Sequence, residues 1–356
     1  MTPVTRLLTS PGEITGLAGQ WNALAGSLGA MAIFWDAEAT LANLMTRTER
    51  RARPHVLTVF DDGAMIAAAP LVWTPGWTGL GVLHWADSGT PLYTGLLCRP
   101  DREAQVFPLL AEGLLGRPGL RKVKVNYVPD DSALARFCHA LGARPGDPAP
   151  TPCIDLSAGP VIDRLSPKRR KALRAYRRKL DRMGPVAFRT DRSPEGLAEL
   201  VAWIFEFKRR KLTSQEGADW IQRPQTEGYF RDLAMRKAAQ GHVLGHCLCV
   251  GDRTAAASLT FLCGDTAFYS KIAYDPQFAA TSPGWQELVG LSDHLGSEGV
   301  RTLNLMMGPG FVKEQLATGA GAVRNWRLAV NPVAQGLERF LIRSESPVSD
   351  RSTSAP

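Results

Sequence analysis

The chain has 356 residues, 44% of them hydrophobic and 21% charged, with 42 Lys and Arg against 34 Asp and Glu. That is the composition of a soluble globular protein long enough for two cores, and no apolar run approaches the ~20 residues a membrane span needs. Residues 1–19 lack a basic-then-apolar leader pattern, so a cytoplasmic protein is expected.

The residues from 14 to 28 and from 36 to 50 read as amphipathic helices, the second with Asp36 as N-cap. A hairpin follows, with strands at 55–60 and 64–73 around Asp61-Asp62-Gly63. Residues 74–93, rich in Gly, Pro, Trp and Thr, suit loops or short strands. Then come a helix (101–115), a strand (122–128), a helix (132–141), a Pro-rich connector (145–152) and a strand (153–156). Six cysteines, Cys98, Cys138, Cys153, Cys247, Cys249 and Cys263, are scattered through apolar stretches. They read as buried thiols, and no metal site is expected.

The helix at 166–183 is the most unusual segment. Ser166 suits an N-cap, Pro167 the first helical position, and Met183-Gly184-Pro185 a stop. Leu165, Leu173, Tyr176, Leu180 and Met183 make one apolar seam. From Asp163 to Arg182 there are ten Lys/Arg and two Asp, a net of +8, which equals the net charge of the whole chain. The basic character is therefore local: an anion-facing helix is expected, the plain alternative being a solvated surface.

Beyond it lie a strand (186–190), a helix (193–211), a polar loop (215–220) and a helix (227–240). The stretch 242–305 then runs strand (243–250), Gly251-Asp252-Arg253 turn, strand (255–262), Gly264-Asp265 turn, strand (267–274), loop, helix, strand (302–305). Its helix opens with Ser282-Pro283-Gly284. Pro283 has no N–H, so Gly284 and Trp285 would present theirs to an anion; alternatively Ser282 only caps its own helix. A strand at 323–330, a helix from Asn331-Pro332 to 342 and a disordered tail, 344–356, complete the chain.

Two echoes suggest a duplicated α/β unit. Ala67-Ala68-Ala69-Pro70-Leu71 is echoed by Ala255-Ala256-Ala257-Ser258-Leu259, at an offset of 188. Gly119 to Val125 is echoed by Gly299 to Leu305, at an offset of 180. Only the second copy has the Ser-Pro-Gly helix start; in the first, Asp101 would repel an anion.

The element order of 242–305, with Tyr274-Asp275-Pro276, Ser282-Pro283-Gly284 and Gly308 through Lys313, resembles the acyl-CoA half of the GNAT acyltransferase superfamily. Within it the chain resembles the CelD/BcsL-type acetyltransferases named for cellulose biosynthesis, which are related to the Fem peptidyltransferases. The resemblance covers roughly residues 15–340. It implies a mixed α/β (α+β) fold of tandem GNAT-like domains: 1–156, a basic linking helix at 157–185, an acyl-CoA domain at 186–343, and the tail 344–356.

It also implies an N- or O-acyltransferase using acyl-CoA, acetyl-CoA first, on a sugar-related or otherwise anionic acceptor. Ser282, Gly284 and Trp285 are the cofactor candidates, and Lys168, Arg169 and Arg177 of the basic helix the acceptor candidates. Tyr274 could lend its hydroxyl to the thiolate or to the substrate, or be a plain edge aromatic; Asp275 is an active-site candidate or an ordinary turn. Lys313 stands where related families carry a Tyr-Lys pair, but Val312 precedes it, so only the lysine carries over, as a candidate for an anionic substrate group or the CoA phosphates. His242, His246 and Glu287 read as structural. Two further readings stay open: a Fem-like transfer from aminoacyl-tRNA, and a non-catalytic module docking on anionic membrane or nucleic acid. No serine-hydrolase, zinc-protease or P-loop motif is present.

Overall fold

The computed structural model describes residues 2–46, 52–76, 80–86, 92–212, 219–308 and 310–330. The first half begins with β1 (Val4–Leu8), α1 (Pro11–Gly16), α2 (Ala18–Gly26), a 3-10 turn over Ala30–Phe34, and α3 (Ala37–Thr46). The helix expected over 14–28 is thus two helices. The first starts early because Ser10 and Glu13 form a reciprocal capping box. Next come β2 (Arg53–Pro54), β3 (Val56–Asp61), β4 (Ala64–Ala69), β5 (Leu71–Pro75), β6 (Gly81–Trp85) and β7 (Leu97–Cys98). The half closes with α4 (Glu103–Leu115), β8 (Leu120–Pro129), α5 (Ala133–Ala140), β9 (Arg144–Pro145) and β10 (Ala149–Asp155).

The basic helix is α6 (Pro167–Asp181), capped by the Ser166 side chain, which accepts from the Arg169 N–H. It is followed by β11 (Val186–Asp191), α7 (Pro194–Leu212), α8 (Asp219–Gln222) and α9 (Pro224–Ala238). Then come β12 (Val243–Val250), β13 (Arg253–Cys263), β14 (Thr266–Tyr274), α10 (Pro283–Ser297), β15 (Thr302–Asn304), α11 (Phe311–Leu316) and β16 (Gly319–Ala329). β1 and α11 had no counterpart in the sequence reading. The C-terminal helix, the tail and all but the end of the loop at 215–220 lie outside the described residues.

A four-stranded sheet runs β1-β3-β4-β7, and a twelve-stranded one runs β11-β12-β13-β14-β15-β10-β16-β8-β6-β5-β2, with β9 on β16. The strand expected over 64–73 divides between the two, because Pro70 has no N–H for the ladder.

The halves repeat one pairing scheme. In the first, β1/β3, β3/β4 and β5/β6 are antiparallel, β6/β8 parallel and β8/β16 antiparallel. In the second, β11/β12, β12/β13 and β13/β14 are antiparallel, β14/β15 parallel and β15/β10 antiparallel. Both leading hairpins carry a bulge at the same step. Asp61↔Ala64 and Phe60↔Met65 are followed by Val59↔Ala67; Val250↔Arg253 and Cys249↔Thr254 by Leu248↔Ala256. Matched on that bulge, Ala67 corresponds to Ala256, one residue away from the echo seen in the sequence. Each half takes its last strand from the other, and β10 pairs antiparallel with β16 where they meet.

The halves share a core as well as a sheet. Phe34 packs edge-on against Phe261 and Phe268, with centroids 5.5 and 5.0 Å away. Beside it, the buried Lys237 ammonium pairs with the buried Asp36 carboxylate.

Candidate functional site

β14 and β15 part soon after they meet. β14 pairs only through Thr266, Ala267 and Phe268, against Thr302, Leu303 and Asn304, yet it runs on to Tyr274. Past Asn304 the chain turns away: the Leu305 N–H donates to the Pro152 carbonyl (2.8 Å), and Met306 adopts a φ of 60°. The sheet therefore opens between residues 269–274 and residues 305–308. Lys313 on α11 fixes the far lip, its Nζ donating to the carbonyls of Met306, Met307 and Gly308 at 3.3, 2.9 and 3.4 Å. A bulge in β14 falls at the point of parting. Leu259 pairs with Lys271 and Thr260 with Tyr269, which leaves Ser270 opposite no residue.

α10 begins beside this opening. Ser282 is left-handed, with φ 48° and ψ 54°, and its side chain accepts no capping hydrogen bond. Its carbonyl instead accepts from the N–H groups of Trp285 (3.1 Å) and Gln286 (3.4 Å). The Gly284 N–H, in contrast, donates to no acceptor among the described residues. A Cβ on Gly284 would meet only Ile272 Cδ1, at 3.5 Å, so the helix start faces β14 with room to spare. A free amide in the first turn of a fifteen-residue helix attracts anions.

Glu287 holds α10 in this position. It is fully buried and accepts from Ser258 Oγ (2.6 Å), Tyr269 OH (2.7 Å) and His246 Nδ1 (2.9 Å). Glu287 is structural, as its sequence context implies, and joins α10 to β12, β13 and β14. Burial and the Glu287 charge push the Tyr269 hydroxyl well up, so it remains a donor.

The sequence-derived candidates fall in separate places. Arg169 reaches the start of α10, its guanidinium 5.1 Å from the ring centroids of both Trp285 and Phe311. Lys168 beside it is exposed. Arg177 is further along α6, paired with Asp181 (3.0 Å) and donating to the Val186 carbonyl (3.3 Å). Tyr274 ends β14 under the Lys211 ammonium, 4.8 Å from its ring centroid. Asp275 is buried, accepting from the Gln277 N–H (2.9 Å) and pairing with Arg253 (3.0 Å), so its carboxylate shapes the turn before α10. No hydrogen bond, ion pair or ring contact among the described residues joins Lys313 to Tyr274 or Asp275.

The other face of β14 carries residues the sequence reading missed. Ile272 points toward α10, and its neighbour Lys271 therefore points the opposite way. Lys271 is 4% exposed, with Nζ 4.2 Å from the Phe230 centroid and 5.5 Å from that of Trp220. Burial and the nearby Lys208 and Lys313 hold its pKa well below the lysine range. Burial brings both Lys208 and Lys313 down to about 8, Lys208 with help from Lys211 and Lys313. A lysine inside the aromatic run Phe268-Tyr269-Ser270-Lys271 was the signal available in the sequence.

Comparison with known proteins bears on the fold that carries this opening. Residues 167–314, from the start of α6 into α11, match the family described as "Acetyltransferase (GNAT) domain". On that match the chain carries a GNAT acetyltransferase domain and is an acyltransferase. No curated protein matches the chain in sequence. Among solved structures it is similar to FemX, at 10% identity and a TM-score of 0.61 over 96% of this chain and 100% of that one. It is also similar to the C-terminal domain of a candidate lysylphosphatidylglycerol synthetase from Agrobacterium fabrum, at 10% identity, a TM-score of 0.53 and coverage of 94% and 97%. A tandem GNAT protein from the clavulanic acid biosynthesis pathway follows, at 14% identity, a TM-score of 0.51 and coverage of 92% and 99%. At these identities the likeness is one of fold. No helix among the described residues is long and apolar enough to cross a membrane, and no group of His, Cys, Asp and Glu among them could hold a metal ion.

Proposed function

We propose that the second half binds an acyl-CoA, acetyl-CoA in the first instance, and transfers its acyl group to an amine or hydroxyl of an anionic acceptor. The observation that carries this reading is the opening between β14 and β15 with the unpaired Gly284 amide at its edge. The diphosphate sits at that amide, and Arg169 adds a cation. The extended thiol-bearing arm lies in the opening, against the free edge of β14. The backbone amide of bulged Ser270 is the donor for the thioester oxygen, where charge develops during attack. Placement accounts for most of the rate in such a transfer, which explains why few side chains announce it.

The sugar-related acceptor and a role in exopolysaccharide synthesis rest on the resemblance to CelD/BcsL-type enzymes. The competing donor is aminoacyl-tRNA, for which the exposed Lys168, Lys171, Arg174 and Arg178 of α6 offer a footprint. Thermal shift with acetyl-CoA, desulfo-CoA and aminoacyl-tRNA separates the two. Stabilisation by both CoA compounds supports the acyl-CoA reading. Stabilisation by aminoacyl-tRNA alone, falling steeply with salt, replaces it with the tRNA-dependent one.

A further inference from the structure

We infer that Lys208 and Lys271, with the charge of Lys313 at the lip beside them, receive an oxyanion of the acceptor, a carboxylate or a phosphate, on the face of the sheet opposite α10. The inference rests on the acyltransferase reading and adds the acceptor's recognition group. Lys271 projects from β14 at the parting, between Phe230 of α9 and Trp220 of α8, and among the described residues its Nζ donates only to its neighbour Ser270, at 3.2 and 3.4 Å. Lys208 lies on α7, which packs on β14, and Lys313 closes the far lip. The three lie within electrostatic reach of one another, and no carboxylate among the described residues offsets them.

Lys237 shows what this chain does with a buried lysine that serves structure alone. It is 0% exposed and paired with Asp36. Lys271 is almost as buried and has no such partner among the described residues. Packing alone would favour Met or Leu between two aromatic rings, since an unpaired buried ammonium is costly. A bound oxyanion supplies the missing counter-charge, and ammonium groups suit it as point charges. The two substrates then occupy opposite faces of the sheet. The donor's acyl carbon meets the acceptor's nucleophile at the opening between β14 and β15.

The test is calorimetry at pH 7 with inorganic phosphate in one arm and acetate in the other, using the full chain. It compares wild type, Lys208→Met, Lys271→Met and a charge control, Lys179→Met on α6. Acetyl-CoA binding and thermal unfolding are followed in parallel. Wild type should bind one of the two anions, phosphate identifying a phosphorylated acceptor and acetate a carboxylated one. Lys208→Met and Lys271→Met should each weaken that binding at least tenfold, with Lys179→Met within twofold and acetyl-CoA affinity retained. If Lys271→Met does not fold, Lys208→Met alone decides. Anion affinity unchanged in the folded Lys208 and Lys271 variants, or lost equally in Lys179→Met, overturns the inference. So does the absence of anion binding by a wild type that binds acetyl-CoA. Failure of acetyl-CoA to bind, with the anion arms as expected, leaves the receptor standing and removes the donor reading.

Discussion

The guanidinium of Arg169 lies 5.1 Å from the ring centroid of Trp285, which ties the N-terminus of the basic helix to that of α10. A cation is thereby held beside the Gly284 amide, and its reach is limited by the two rings it stacks between. Arg169→Ala is therefore expected to weaken acetyl-CoA binding by roughly five- to tenfold, about 1 kcal/mol or slightly more. Arg177→Ala, which removes a contact to Asp181 and the Val186 carbonyl, should leave acetyl-CoA affinity within twofold. Calorimetry on the two variants checks both statements.

Glu287 should be the most sensitive polar position in the second half. Glu287→Leu strands three buried donors, on Ser258, Tyr269 and His246. At about 1–3 kcal/mol per orphaned group, allowing for relaxation, the loss should be about 3–5 kcal/mol. Ser258→Ala removes one donor and should cost only about 1 kcal/mol. Urea unfolding gives both values, and a Glu287→Leu loss below that of Ser258→Ala would refute the hub.

The Asp36–Lys237 pair crosses between the halves, so its loss should be felt by both. Lys237→Met alone leaves a buried carboxylate unpaired and should destabilise by about 3–5 kcal/mol. Replacing both, as Asp36→Leu with Lys237→Met, should recover most of that loss. A double-mutant cycle with no coupling between the two positions would contradict the pairing.

Lys208 should behave in the opposite way. An unfolded lysine keeps its proton to ~10.4, whereas folded Lys208 releases it at about 8, against Lys211 and Lys313. The fold bears the full penalty below pH 8, and its stability rises as the pH goes from about 8 to 10.4. Lys208→Met should therefore stabilise the chain at pH 7, by on the order of 1–3 kcal/mol, and flatten that rise. Lys313 retains part of the slope in the variant. Denaturant midpoints between pH 6 and pH 10 test the sign. A more stable variant with poorer anion binding is the mark of a functional lysine.

The sequence conveyed the second half better than the first, for physical reasons. Alternating apolar strands around Gly251-Asp252 and Gly264-Asp265 define β12, β13 and β14 almost to the residue, because turn chemistry sets their ends. In the first half a single residue, Pro70, sends one apolar run into two sheets, and periodicity carries no sign of that. The exchange of β10 and β16 is equally silent, since strand pairing across about 150 and 200 residues leaves no local pattern. At the site, Ser282-Pro283-Gly284 and the basic helix were visible as motifs. The lysine cluster was not, because Lys208, Lys271 and Lys313 come from three elements that only the fold brings together.

The central claim is that acyl-CoA binds at the start of α10, and acetyl-CoA calorimetry on wild type and Gly284→Asp tests it most directly. The new Cβ has space, with Ile272 Cδ1 3.5 Å away, so the fold should survive the substitution. The carboxylate would stand where the diphosphate is placed. Stoichiometric binding by wild type, weakened at least tenfold (about 1.4 kcal/mol) in a Gly284→Asp variant of unchanged melting temperature, is the predicted result. Equal acetyl-CoA affinity in the two folded proteins, or none in either, would contradict it.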